Sequence, residues 1–330
     1  MTSEKTEKVS FPKLLSIIIP AYNAGKYLDD CLASCTRQNL PPEKYEIIIV
    51  NDGSTDGTQQ IADRWAAEQH NIKVISQENK GLSVARNAGI DTSAGKYIMF
   101  VDSDDTIAEN CLEGLTARCM ADDLDMLRFC AANIIGNVPS RRFSYKDAGT
   151  VSGKDLLKED FQVCAPFALY KKDFLKKSAL EFHPGIYHED NEFTPKAYWH
   201  ADKVASVNDI IYFVRQTPES ITRTPNPKRG YDLLNIIEML VAFTETNVAP
   251  EYKPYFYKQI SDCFNGCIKL MNSLTGNEKA CLKSKVNESR HILKYLKKSS
   301  SLSHRIEGLL MNMCPGLIGP IYTLLDRIKH

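Results

Sequence analysis

Residues 102–105, Asp-Ser-Asp-Asp, place three carboxylates in four positions directly after the apolar run Tyr97 to Val101. Such a cluster repels itself unless a cation sits among the charges, and hard divalent ions such as Mg²⁺ or Mn²⁺ prefer oxygen ligands. Mg²⁺ commonly takes one or two protein carboxylates and shares the rest of its shell with substrate phosphates, so a metal-bound diphosphate fits the pattern. Charge complementarity at a helix N-terminus would explain the same acids. A second polar segment, Asn51 to Thr58 (NDGSTDGT), follows the apolar run Tyr45 to Val50. There the Asp52 carboxylate could accept a hydrogen bond from a base ring N–H. Ser54, Thr55 or Asp56 could cap the next helix while the glycines permit the turn. Residues 79–87 (NKGLSVARN) add Lys80 and Arg86 around Gly81. Gly81 lets a ligand approach the backbone, and Arg86, one turn into a helix, could reach phosphate oxygens with its forked guanidinium. A solvated helix face is the plainer reading of the same charges.

These segments serve one chemistry only if a frame delivers them to one place. Leu14 to Pro20 (LLSIIIP) and Tyr45 to Val50 (YEIIIV) read as strands, as do Ile72 to Ser76 and Tyr97 to Val101. Helix-like stretches lie between them at 26–39, 56–70 and 82–92. This alternation predicts a parallel sheet with helices on its faces, and the near-continuous apolar strands agree with burial on both sides. Ligands collect at the carboxyl ends of such strands. Pro20-Ala21-Tyr22-Asn23, Asn51 to Gly57 and Asp102 to Asp105 all fall at those ends. Beyond them the sequence predicts a helix over 106–120, a strand over 125–135, a helix over 189–200 and then β-like ADKVASVNDIIYFVR. Pro218 to Gly230, with three prolines and a glycine, reads as a linker and sets a domain boundary near 228. Tyr231 to Phe243 and Tyr255 to Met271 carry apolar residues at helical spacing.

The chain has 330 residues, with 41 basic and 41 acidic side chains. Zero net charge argues against a nucleic-acid partner held by bulk positive charge. The 43% hydrophobic and 25% charged shares are those of a chain that can bury a core. The N-terminus has no apolar stretch of a secretory signal, so a cytoplasmic location is expected. The ten cysteines form no CxxC pair and read as small buried hydrophobes.

LLSIIIPAYNAGKYLDDCLAS, YEIIIVNDGSTDGT, NKGLSVARNAGI and GKYIMFVDSDD, in that order, resemble the nucleotide-sugar-binding half of family 2 glycosyltransferases with the GT-A fold. The resemblance implies an α/β fold, a wound and mostly parallel sheet flanked by helices, followed by a C-terminal helical region. It implies an inverting hexosyl transfer from a nucleoside-diphosphate sugar, with UDP the usual nucleotide, onto a hydroxyl of a glycan or lipid-linked acceptor in cell-surface polysaccharide synthesis. Asp102 and Asp104 look like the family's DxD pair, with Asp104 the direct ligand of Mn²⁺ or Mg²⁺ and Asp102 holding ribose or metal. Ser103 between them and Ser54 join the donor contacts. Asp52 is similar to the acid that meets the nucleobase, and Pro20, Ala21, Tyr22 and Asn23 would line the base and ribose pocket. Lys80, Gly81 and Arg86 look like the segment beside the diphosphate and donor sugar. Tyr187 to Phe193 (YHEDNEF) resembles the family's acidic pair at a helix start beside the acceptor. By that analogy Asp190 is the general base with Glu189 beside it, although spacing alone does not choose between them. Tyr212-Phe213-Val214-Arg215 with Ser220-Ile221-Thr222 is similar to the segment that folds over the donor phosphates. There Arg215 is either a phosphate contact or a surface arginine on an edge strand.

The chain therefore divides into a polar extension (1–13), a glycosyltransferase domain (14–227, with 14–105 on the donor side and 106–227 on the acceptor side) and a helical region (228–330). A sugar-phosphate nucleotidyltransferase would want a glycine-rich basic loop after the first strand, where this chain has PAYN. An inactive nucleotide-sugar-binding or scaffold protein would have lost one of Asp102, Asp104 and Asp190, and all three are present. Residues 281–330 carry nine Lys or Arg against three acids, a net of +6. Residues 308–325 are uncharged but are interrupted by Pro315, Gly316, Gly319 and Pro320. That combination predicts a segment lying on the cytoplasmic membrane face rather than spanning it, unless these residues pack on the protein itself.

Overall fold

The structure is a computed structural model and describes residues 13–135, 138–159, 161–216 and 225–329. The chain forms two compact units, one of Met1–Thr150, Pro166–Ala179 and Lys203–Arg215, the other of Val151–Ala165, Leu180–Asp202 and Gln216–His330. The chain thus passes between units several times, where the sequence suggested one boundary near 228. Linear composition marks the proline-rich segment but carries no sign of which distant helices will share a core.

In the first unit, β1 (Leu15–Ala21), β2 (Tyr45–Asp52), β3 (Ile72–Gln77) and β4 (Tyr97–Phe100) alternate with α1 (Leu28–Thr36), α2 (Thr58–Glu68) and α3 (Leu82–Thr92). Ile17 to Ile19 and Ile47 to Ile49 are fully buried, which requires cover on both faces of the sheet. β-Branched side chains suit such strands because their restricted rotamers pack on a pleated surface. The four strands pair in parallel in the order β3-β2-β1-β4. Their carboxyl ends therefore lie along one edge, and the strand order reverses at β1, which opens the ligand crevice expected of such sheets.

The remaining elements of this unit are β5 (Thr106–Ile107), α4 (Leu112–Asp122), β6 (Met126–Ile135), β7 (Val138–Phe143), β8 (Ala148–Val151), β9 (Ala168–Lys171), α6 (Lys172–Lys177) and β10 (Val204–Arg215), with α5 (Gly153–Leu156) belonging to the second unit. β9 is antiparallel to β4 and β6, while β10 runs parallel to β6 and antiparallel to β5. The sheet is thus parallel over its first four strands and mixed beyond them. The helix predicted over 106–120 starts later because residues 106–107 pair with Tyr212 and Phe213, a partner about a hundred positions away that local periodicity does not reveal.

A buried polar knot locks β1 to β2. Glu46 accepts from Ser16 Oγ (2.7 Å), Lys73 Nζ (2.7 Å) and the Ala94 amide (2.5 Å), and the Gly95 amide donates to Ser16 Oγ (2.8 Å). Burial alone would raise the Glu46 pKa, but the donors from Lys73, Ser16 and Ala94 outweigh it and hold the carboxyl below its ordinary value. A Cβ on Gly95 would overlap the backbone of Leu15 and Ser16. Gly95→Ala should lower the unfolding free energy by about 1–3 kcal/mol in urea denaturation, and an unchanged midpoint would show that the turn relaxes freely.

The second unit contains α5, α7 (Asp190–His200), α8 (Pro227–Asn247), α9 (Lys253–Ser273), α10 (Gly276–Glu288), α11 (Leu293–Leu296), α12 (Leu302–Met313) and α13 (Ile318–Lys329). Its core includes Ile236, Ile237 and Leu240 of α8 with Ile260, Phe264 and Cys267 of α9. The linker expected over 218–230 ends inside α8. Asn226 caps the helix through its side chain, accepting from the Lys228 amide at 2.9 Å, and Pro227 takes the first helical position, where no N–H is needed. Residues 217–224 of that segment, Ser220 to Thr222 among them, lie outside the described residues. Among the described residues no helix is long and apolar enough to cross a membrane.

Candidate functional site

In the first unit, the loops after β1, β2 and β3 are tied together by their own side chains. Asn23, at a positive φ of 49°, donates its amide to Ser54 Oγ (3.0 Å) and accepts from the Thr55 amide through Oδ1 (2.9 Å). The Gly25 amide donates to Asp56 Oδ2 (2.9 Å), and Asn51 Oδ1 accepts from the Ser54 amide (3.0 Å). Pro20 and Ala21 end β1 as buried backbone, which leaves the Tyr22 ring 52% exposed. An exposed aromatic beside a strand end is a surface on which a planar ring can stack.

Asp52 is buried and accepts from Gln77 Nε2 (2.6 Å), the Lys80 amide (2.9 Å) and the Gly81 amide (2.8 Å). Its carboxylate therefore pins residues 77–81 to the end of β2 and leaves the Lys80 side chain exposed. Gly81 at φ +90° opens α3, and Gly53 at φ +73° approaches Asn79 closely enough that a Cβ would sit 2.7 Å from its amide nitrogen. Both positions need glycine.

Arg86 emerges from α3 as a 1% exposed side chain whose Nη2 donates to Asp102 Oδ1 at 2.9 Å. The sequence offered it as a phosphate contact. In the folded chain the guanidinium is bound to Asp102, the first acid of the 102–105 cluster, and fixes that carboxylate just beyond β4. The rest of the cluster is organised by β10. The Tyr212 hydroxyl accepts from the Asp102 amide (2.9 Å) and donates to Asp105, whose Oδ1 also accepts from the Arg215 amide (2.8 Å). Arg215 Nε donates to the Asp104 carbonyl (3.0 Å), its Nη2 to Asp30 Oδ2 (2.9 Å), and its guanidinium lies 5.3 Å from the Tyr27 ring centroid. β10 sits between β6 and β5, so Arg215 is not on an edge strand. It also contributes, with Asp30, Arg37 and Phe213, to an open depression of about 540 Å³.

The sequence reading takes Asp105 only as the third acid of its cluster and Tyr212 only as part of the 212–215 segment, without a role for either side chain. The signal for Tyr212 is a polar-tipped aromatic in an otherwise apolar strand. Tyr212→Phe leaves the buried Asp105 carboxyl without one donor and the Asp102 amide without its acceptor. It should destabilise the protein by about 1–3 kcal/mol in chemical denaturation, with an unchanged value showing that water replaces the hydroxyl.

Ser103 and Asp104 stay partly exposed in this cluster. Burial first, and then the charge of Asp102, push the Asp104 carboxyl up to about 6. Burial and both neighbouring acids push Asp105 in the same direction. Asp104 and Asp105, both pushed up, lie beside the Asp102 charge in a group whose charge is under-compensated. Among the described residues no three Asp, Glu, His or Cys side chains converge as a closed metal cage. A hard divalent ion that completes its shell with substrate phosphates and water needs only one or two carboxylates, so Asp102 and Asp104 fit Mn²⁺ or Mg²⁺ held together with a diphosphate.

In the second unit, the acid pair lies at the start of α7. Glu189 is the residue before the first helical turn and is buried, whereas Asp190 is partly exposed. The loop before them is fixed to α8, where Asp232 accepts from the Tyr187 amide (2.9 Å) and from Lys228 Nζ (2.6 Å), and Lys228 also donates to the Gly185 carbonyl (2.7 Å). His188, at φ 64°, accepts from Arg229 Nε at 3.2 Å. Burial and the Arg229 charge hold its pKa down at about 4, so the imidazole is neutral at pH 7. Phe182 stacks on Phe193 with ring centroids 4.2 Å apart, which secures the first turn of α7 from below.

Comparison with known proteins agrees with this geometry. The family model described as Glycosyl transferase family 2 matches residues 16–178. YibD of Escherichia coli K12, an uncharacterised glycosyltransferase, is 30% identical over 266 residues, which span 75% of this chain and 76% of YibD. Glycosyltransferase GlyG of Streptococcus pneumoniae is 29% identical over 276 residues, 76% of this chain and 81% of GlyG. The chain belongs to glycosyltransferase family 2 and is a glycosyltransferase. Among solved structures, residues 1–349 of Staphylococcus aureus TarS in complex with UDP-GlcNAc match with a TM-score of 0.69 at 21% identity, covering 95% of this chain and 90% of that one. That likeness establishes the GT-A-type fold.

Proposed function

We propose that this chain transfers a hexose-class sugar from a UDP-sugar to a hydroxyl of a glycan or lipid-linked acceptor in cell-surface polysaccharide synthesis, with inversion at the anomeric carbon. The observation that carries the reading is the under-compensated acid cluster just beyond β4, beside strand-end loops that Asp52 and Asn23 tie together. The UDP-GlcNAc in the TarS complex supports UDP as the nucleotide.

Tyr22, with Pro20, Ala21 and Asn23, receives the base and ribose, and Asp52 orients the loop that meets the base edge. Ser54, Lys80 and Gly81 line the path toward the diphosphate. Asp102, oriented by Arg86, and Asp104 would hold the divalent cation, with Ser103 between them and Arg215 as a contact for the donor phosphates. When bound, the cation neutralises the charge left on the departing diphosphate as a Lewis acid. Asp190 takes the proton from the acceptor hydroxyl as that oxygen attacks the anomeric carbon. Its partial exposure favours it over Glu189, which is buried and better suited to shaping the start of α7. A single displacement inverts the configuration and needs no protein nucleophile. The protein works in the cytoplasm, at the inner membrane face, through its basic C-terminal region.

A thermal-shift screen of nucleotide sugars with and without Mn²⁺ tests the donor assignment, since a ligand of the native state raises the apparent stability. A UDP-sugar should raise the midpoint only with the metal present. A midpoint moved solely by GDP- or dTDP-sugars would overturn the nucleotide.

A further inference from the structure

Helix α12 has its amphipathicity reversed. Leu302, Ile306, Leu309, Leu310 and Met313 are 64%, 44%, 53%, 40% and 76% exposed, while His304, Glu307, Gly308 and Met311 are buried. At 3.6 residues per turn the exposed set falls on one narrow arc and the buried set on the opposite one. The buried side fixes this orientation. Glu307 accepts from Asn265 Nδ2 at 2.7 Å, and His304 Nε2 lies 3.3 Å from Asp262 Oδ1. A Cβ on Gly308 would meet the Leu296 Cβ at 2.8 Å and the Lys297 amide nitrogen at 3.0 Å, so the helix lies flush against the end of α11. Leu317, 52% exposed, adds to the apolar surface just beyond the helix. Contiguous apolar stripes of this kind mark interaction surfaces.

The charges around the stripe indicate its partner. From Arg290 to Met313 the chain carries five basic residues (Arg290, Lys294, Lys297, Lys298 and Arg305) against one acid, the buried Glu307. Arg305 is exposed next to the apolar arc, and Lys294 and Lys298 are exposed at and just after α11, on which α12 packs. A second copy meeting this face symmetrically would bring like charges together. An anionic lipid surface meets both properties, taking leucines and methionine among its acyl chains and basic side chains at its headgroups.

We propose that the Leu302, Ile306, Leu309, Leu310 and Met313 face of α12, bordered by the exposed Arg305 and carried on a locally basic segment, docks on the surface of an anionic phospholipid bilayer. This deepens the membrane contact in the proposed function and rests on that reading for its biological purpose, while the surface itself lies wholly within the helical unit.

Flotation of the full chain with phosphatidylcholine vesicles, with or without phosphatidylglycerol, tests the proposal. The native protein should float with the anionic vesicles and much less with the neutral ones. The double substitution L309E/M313E should cut the bound fraction about tenfold, and Arg305→Glu should weaken binding to the anionic vesicles alone. All three side chains are exposed, so the thermal midpoint should not move. Equal flotation by the native and doubly substituted proteins would overturn the proposal, as would failure of the native protein to float. Self-association in sedimentation velocity that the double substitution abolishes, without vesicle binding, would make the stripe a contact between copies instead. Absence of nucleotide-sugar turnover by the same preparation would remove the functional reading and leave the flotation result standing.

Discussion

Asp190→Asn is expected to lower glycosyl transfer by about a thousandfold while leaving donor affinity within about twofold, because a positioned general base contributes roughly two to four orders of magnitude. The substitution keeps the size of the side chain at the first position of α7 and removes only its basicity. Donor binding is assigned to side chains in the other unit, at the ends of β1 to β4, so affinity and turnover should separate. Glu189→Gln is the control. Glu189 is buried, so its replacement should act through stability more than through the acid–base step. Transfer kinetics for both variants, with donor affinity from titration calorimetry, distinguish the two acids. Full activity in Asp190→Asn would remove that residue from the mechanism.

Asp104→Ala should abolish the part of donor binding that depends on Mn²⁺, with an expected loss of at least about a hundredfold in affinity, since the proposed function makes Asp104 a direct ligand in a site with few others. The same change relieves a repulsion. With Asp104 gone, a carboxyl now pushed up to about 6 by burial and by Asp102 no longer crowds the cluster. The metal-free variant should therefore be no less stable than the native protein, and excess Mn²⁺ should not restore its donor binding. Loss of affinity without loss of fold is the signature of a ligand-binding acid. A structural acid would show the reverse, and denaturation alongside calorimetry separates them.

Much of the donor side is legible in the sequence because its signals are local. Each strand of the parallel region is a run of β-branched residues, and each polar loop follows directly where its strand ends, so Tyr22, Asp52 and Asp102 can be assigned to strand ends without a structure. Side chains that act across the fold are not legible in this way. Arg86 reads as a helix-surface cation, yet β4 brings Asp102 to it and burial commits it there. Tyr212 lies 110 positions from the amide it accepts from, and no periodicity links them. The two-residue β5 exists only because β10 pairs with it, so the sequence read it as the start of a helix. Pro227 looked like linker chemistry and proves to open α8, because proline serves turns and first helical positions equally well. In the C-terminal region the net charge of +6 is visible in the sequence, but the reversed face of α12 is not. Its apolar positions have ordinary helical spacing, and only burial shows which of them face outward.

The central claim is that the acids after β4 serve a nucleotide-sugar donor. Release of free nucleoside diphosphate from a panel of nucleotide sugars, followed by chromatography with Mn²⁺ or with EDTA, tests it most directly. The native protein should release UDP from at least one UDP-sugar in the presence of Mn²⁺, with the signal lost in EDTA and in Asp104→Ala. Release that persists undiminished in both would contradict the claim, as would a folded protein that neither binds nor turns over any donor in the panel.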